Sequence, residues 1–90
     1  MFYRIETQGH GVQDDDIARA RKAIDAALNR EGIDASGFAA AYTAFLSRSA
    51  GDDHDAGKAD AFERIQSAGD IALTDGWHDP NGAHLMLSPA

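Results

Sequence analysis

The chain contains no cysteine, and that single absence removes a disulfide framework, cysteine-ligated zinc and thiol catalysis together. Packing alone must hold the fold. No apolar run approaches the roughly 18 residues of a membrane span. Met1-Phe2-Tyr3-Arg4-Ile5-Glu6 has neither a basic segment nor the long apolar stretch of a secretory leader, so a soluble, cytoplasmic protein without a membrane partner is expected. Catalytic signatures are missing too. Ser36, Ser47, Ser49, Ser67 and Ser88 lie in no G-x-S-x-G elbow, and none is tied to a histidine by a fixed element. Gly9-His10-Gly11 lacks the third glycine of a dinucleotide fingerprint and runs into Asp14-Asp15-Asp16, which would repel phosphate rather than cradle it. No catalytic residue and no cofactor site is therefore expected. Positive charge is scarce as well: eight Lys/Arg stand against fifteen Asp/Glu, and the resulting net charge of −7 opposes direct binding of nucleic acid or anionic lipid.

What the chain does have is enough apolar material for one shared core. A length of 90 residues fits a single domain over 1–90, and an apolar fraction of 43% separates it from disordered acidic chains, which pair high charge with low hydrophobicity. No internal repeat, linker or low-complexity tract divides it. The charge is unevenly placed. Residues 1–51 carry seven acids and six bases, whereas the remaining 39 residues carry eight acids (Asp52, Asp53, Asp55, Asp60, Glu63, Asp70, Asp75, Asp79) against Lys58 and Arg64, net −6. Such asymmetry speaks to steering and partner choice rather than to fold.

Hydrophobic periodicity predicts the elements. Residues 2–7 alternate, with Tyr3, Ile5 and Thr7 on one side and Phe2, Arg4 and Glu6 on the other, the period of a half-buried strand. Ile17, Ala20, Ile24, Ala27 and Leu28 then make one helical stripe over 14–31, ended by Gly32 in a left-handed position with Ile33 placed to touch Leu28. Asp34 or Ser36 caps a second helix running to Ser49, with Phe38, Ala41, Tyr42 and Phe45 on its buried side. The short link predicts that these two helices form an antiparallel hairpin. A third helix is expected over 57–68, stopped by Gly69. Two C-terminal strands, 71–77 and 83–88, should then flank a turn at Asp79-Pro80-Asn81-Gly82. The expected class is α+β in the order β-α-α-α-β-β: a three-stranded, mostly antiparallel sheet with two to three helices on one face.

Each candidate site has a plain reading beside the functional one. Asp14-Asp15-Asp16 resembles a cation site, but acids at a helix start are stabilised by the dipole and the free amides, about 0.3–1 kcal/mol each. Asp52, Gly57, Asp60 and Glu63 take the first, sixth, ninth and twelfth places of a calcium loop, yet His54 and Ala56 hold the third and fifth and break the ligand set. No metal site is expected there. His78 and His84, with Asp79 nearby, flank the expected turn, but zinc needs at least three converging ligands. Arg19, Arg21 and Lys22 form the one basic cluster, and Asp15 and Asp25 stand four residues away as intrahelical partners. Trp77 serves either as a core residue of the small sheet or, if exposed, as a contact hot spot.

Taken together, a small acidic α+β domain without a catalytic motif reads as an interaction protein rather than an enzyme. In length, charge and lack of catalytic residues it resembles the small acidic anti-defence proteins of phages and mobile elements, anti-CRISPR proteins among them. That resemblance implies an inhibitor that occupies the nucleic-acid-binding surface of a partner such as a CRISPR effector complex, with carboxylates standing where phosphates would lie. The partner-binding residues expected on physical grounds are Asp52, Asp53, Asp55, Asp60 and Glu63, which can complement an Arg/Lys groove, together with Trp77. Two alternatives remain open at this point: a small-ligand or metal-binding domain built on His78, His84 and Asp79, and an oligomeric accessory subunit joined through an unpaired sheet edge.

Overall fold

The computed structural model describes residues 2–79 and 82–90. Among them are two strands and three helices in the order β1 (Tyr3–Gln8), α1 (Asp14–Glu31), α2 (Ala35–Ser49), α3 (Ala56–Leu73) and β2 (His84–Pro89). The helix ends follow local chemistry. Asp16 Oδ2 accepts the Gln13 N–H at 2.9 Å across the first turn of α1. At its other end Gly32 sits in the left-handed region (φ 67°), and Ile33 N–H donates to Leu28 C=O at 3.0 Å, the Schellman arrangement that the sequence predicts. Asp34, not Ser36, caps α2 by accepting Gly37 N–H at 2.8 Å.

β1 and β2 pair antiparallel in a register that sets Tyr3 opposite Pro89, Ile5 opposite Leu87 and Thr7 opposite Leu85. These residues carry the buried face. Arg4, Glu6, Gln8, His84 and Met86 face solvent, so the alternation read from the sequence holds on both strands. The buried face packs on a helical layer in which α3 is central and touches both α1 and α2 closely. Phe62 of α3 is fully buried, with its ring 5.6 Å from Phe38, 5.6 Å from Tyr42 and 4.7 Å from Phe45, the three aromatics of α2. Core residues come from all five elements, including Tyr3, Ile24, Phe38, Phe62 and Leu85. Among the described residues no helix is long and apolar enough to cross a membrane.

Three expectations are corrected. The sheet has two strands where three are predicted, because residues 71–73 continue α3 and residues 74–76 form a turn. Ile71 and Leu73 share the parity of a strand, but Phe62, Ile65, Gly69 and Leu73 also fall at helical spacing, and all four are buried. A short apolar run does not distinguish the two periods. Gly69 is not a stop signal. A Cβ there would lie 2.7 Å from Ile24 Cγ1 and 2.8 Å from Ile24 Cδ1, so the glycine is what lets α1 and α3 approach. Finally, α1 and α2 do not pack closely on one another as a hairpin, because α3 fills the space between them. Of the expected turn at 79–82, Pro80 and Asn81 lie outside the described residues.

Candidate interaction surface

The five expected contact acids lie on the α2–α3 link and the first two turns of α3. What organises three of them is Arg48, in the last turn of α2. Its Nε donates to Asp53 Oδ1 at 3.2 Å and its Nη2 to Asp60 Oδ1 at 2.7 Å, while Glu63 Oε2 stands 3.3 Å from Nη1. Nη2 also donates to the Ala56 carbonyl at 2.8 Å, holding the entry to α3. The hydrogen bond to Asp60, ahead of the field of Asp60 and Glu63, raises the guanidinium's pKa above its ordinary value, so Arg48 remains a cation. The three carboxylates stay open to solvent, with side-chain exposures of 69% for Asp53, 55% for Asp60 and 49% for Glu63. Asp52 accepts the backbone N–H of His54 at 3.1 Å and so shapes the link. Asp55 precedes α3 as its N-cap, and with Asp52, His54 and Lys58 it borders a surface depression of about 320 Å³. Asp60 and Glu63 point at an arginine, and Gly57 is helical, so the calcium-loop spacing does not produce a loop.

Trp77 stands at the other end of α3. Ten residue steps of 1.5 Å put Glu63 about 15 Å along the helix axis from the last residue of α3, with the other four acids farther back, so Trp77 stands apart from the acidic cluster. Its ring is half-buried against the core, and its indole N–H donates to Asp16 Oδ1 at 3.3 Å. The same carboxylate oxygen accepts Arg19 Nη2 at 2.9 Å. Arg19 in turn donates from Nε to the Ala72 carbonyl at 2.6 Å and from Nη2 to the Leu73 carbonyl at 2.9 Å. Those are last-turn carbonyls of α3, which have no partner within the helix. Arg19 therefore ends α3 from a neighbouring helix, and its carboxylate partner is Asp16 rather than Asp15. The hydrogen bond from Gln13, with those from Arg19 and Trp77, holds the Asp16 carboxyl below its ordinary range against the opposing effect of its burial. Asp25 accepts the Tyr3 hydroxyl at 2.6 Å, and the Arg21 guanidinium lies 5.8 Å from the Tyr3 ring centroid.

The histidines are dispersed. His84 lies opposite Gln8 in the sheet, and its Nδ1 is 3.9 Å from Asp70 Oδ2. His78 and Asp79 are exposed and precede β2 outside any strand, so the cross-strand pairing of His78 with His84 is not formed. Among the described residues no three histidines or carboxylates stand together as a metal-binding group. Sequence reasoning missed Arg48, although it is the one base of α2 and the acidic run follows it directly. It also missed the role of Gln66 and Asp70, four residues apart on α3. Asp70 Oδ1 accepts Leu85 N–H and Gln66 Oε1 accepts Leu87 N–H, both at 2.9 Å, so α3 side chains cover the outer edge of β2. No protein family model matches the chain, and no curated protein and no solved structure matches it either.

Proposed function

We propose that the protein acts by binding rather than by catalysis, and that the α2–α3 link with the first turns of α3 presents carboxylates to a basic protein surface of the kind that holds nucleic acid. The observation that carries this reading is the Arg48 cluster: one guanidinium holds Asp53, Asp60 and Glu63 within 3.3 Å while all three remain about half exposed or more. One positive charge against three negative leaves the cluster acidic. Residues 48–63 as a whole carry five acids and two bases, net −3. An arginine that fixes carboxylates in place reduces the entropy lost when a partner binds them, and a fixed array of negative charge steers a cationic groove into register. In the resemblance given above, that partner is a CRISPR effector complex and the protein its inhibitor.

The test is displacement of a labelled oligonucleotide from basic nucleic-acid-binding complexes, a CRISPR effector among them, at low and high salt. Displacement should weaken as salt screens the charges and should be lost in a folded Asp53→Lys/Asp55→Lys protein. Equal displacement by the charge-reversed protein, with unchanged salt dependence, refutes the reading and leaves the acids as a solubilising surface.

A further inference from the structure

The two edges of the small sheet differ. Ala90 N–H donates to the Phe2 carbonyl at 3.0 Å, whereas Leu85 and Leu87 N–H point away from β1 toward α3. This alternation assigns the backbone groups of Arg4, Glu6 and Gln8 to the pairing with β2 and turns those of Tyr3, Ile5 and Thr7 outward. On β2 the corresponding outward N–H groups of Leu85 and Leu87 are satisfied by Asp70 and Gln66. On β1 no hydrogen bond among the described residues reaches the outward amides or carbonyls of Tyr3, Ile5 and Thr7. Ile5 and Thr7 are also only half-buried. An edge of this kind is a template for another strand.

We propose that the occupant is β1 of a second copy of this chain, paired antiparallel about a two-fold axis at Ile5, which makes a continuous four-stranded sheet in the order β2-β1-β1-β2. The charges on the exposed face select both partner and register. Outward-facing residues must oppose outward-facing residues, so the axis passes through one residue of the strand. An axis at Arg4 sets Arg4 against Arg4, and one at Glu6 sets Glu6 against Glu6. An axis at Ile5 sets Arg4 against Glu6 of the second copy twice over, and opposite charges directly across strands are favourable where like charges are not. Neither Arg4 nor Glu6 makes an ion pair with any described residue of its own chain, so both are available. On the buried face the same register sets Ile5 against Ile5 and Tyr3 against Thr7, which extends the apolar layer.

Sedimentation equilibrium on the full chain tests this directly. The parent protein should be dimeric. Arg4→Glu alone or Glu6→Arg alone creates two like-charge crossings and should weaken dimerisation about tenfold or more, while the exposed position of both residues leaves the fold intact. The double variant R4E/E6R restores opposite charges at both crossings and should dimerise again, and an equimolar mixture of the two single variants should form the heterodimer. Ile5→Cys provides a second readout: directly opposed residues of a hydrogen-bonded pair lie about 5.5 Å apart at Cα, within disulfide reach, so mild oxidation should cross-link this otherwise cysteine-free chain. A parent protein that stays monomeric at millimolar concentration overturns the proposal. So does a dimer indifferent to both single reversals, or single reversals that neither the double variant nor the mixture rescues.

Discussion

Gly69→Ala is the sharpest test of how the helical layer is built, because two effects of known size oppose one another there. Gly69 lies inside α3, where alanine is favoured over glycine by about 0.8–1.0 kcal/mol in an unobstructed helix. The added Cβ, however, would meet Ile24 Cγ1 at 2.7 Å and Cδ1 at 2.8 Å, with Leu85 Cδ2 at 3.4 Å behind them. Carbon atoms pack best at about 3.5–4.0 Å. Ile24 has no exposed surface and cannot swing into solvent, so α1 and α3 must separate or Ile24 must leave its rotamer. Overpacking of this kind costs about 1–3 kcal/mol. The balance predicts a net loss of up to about 2 kcal/mol, where helix propensity alone predicts a gain of about 1. With a urea slope near 1 kcal/mol per molar, the lower end for small proteins, the unfolding midpoint should fall by up to about 2 M. A double-mutant cycle isolates the cause. Ile24→Ala alone should cost about 2–5 kcal/mol, and Gly69→Ala added to it should be neutral or stabilising because the obstructing atoms are gone. If Gly69→Ala instead raises the midpoint of the parent protein, the close approach of α1 and α3 does not constrain this position and the account of α3 running through Gly69 is wrong.

Two further perturbations address the junction of α1, α3 and Trp77. Arg19→Met keeps the packing of the side-chain stem but removes the guanidinium that donates to the Ala72 and Leu73 carbonyls and to Asp16, which retains its hydrogen bonds from Gln13 and Trp77, and it should cost about 1–2 kcal/mol in urea unfolding, with the Trp77 emission shifting to the red. Acid should act through the same carboxylate: the folded-state pKa of Asp16 is depressed below its ordinary 3.8, so its contribution is full above that value and is lost as pH falls through the folded value. Asp16→Asn should therefore flatten the loss of stability below about pH 4, measured by urea unfolding across a pH series, and an unchanged slope would remove Asp16 from the account. Glu31, whose pKa is depressed chiefly by its hydrogen bonds with Arg64, retains its share of the acid sensitivity in that variant.

Much of the fold was legible along the chain because the signals involved are local. The alternation of Tyr3, Ile5 and Thr7, the Gly32-Ile33 ending of α1 and the Asp34 cap of α2 each depend on residues within five positions of one another, and each is present in the structure. Contacts between distant segments decided the rest. Whether Gly69 ends a helix or admits a neighbour depends on Ile24, 45 residues earlier. The periodicity of residues 69–73 satisfied helix and strand alike until α1 supplied Arg19 to terminate α3. The acidic run was plain in the sequence, but its geometry belongs to Arg48, which the turn between α2 and α3 brings back onto it. The strand edges show the same division. The residues of β1 and β2 alternate by a rule written in each strand, whereas which edge is covered and which is open was decided by where α3 places Gln66 and Asp70, because backbone groups carry no sequence signature and are satisfied only by whatever the tertiary fold sets beside them.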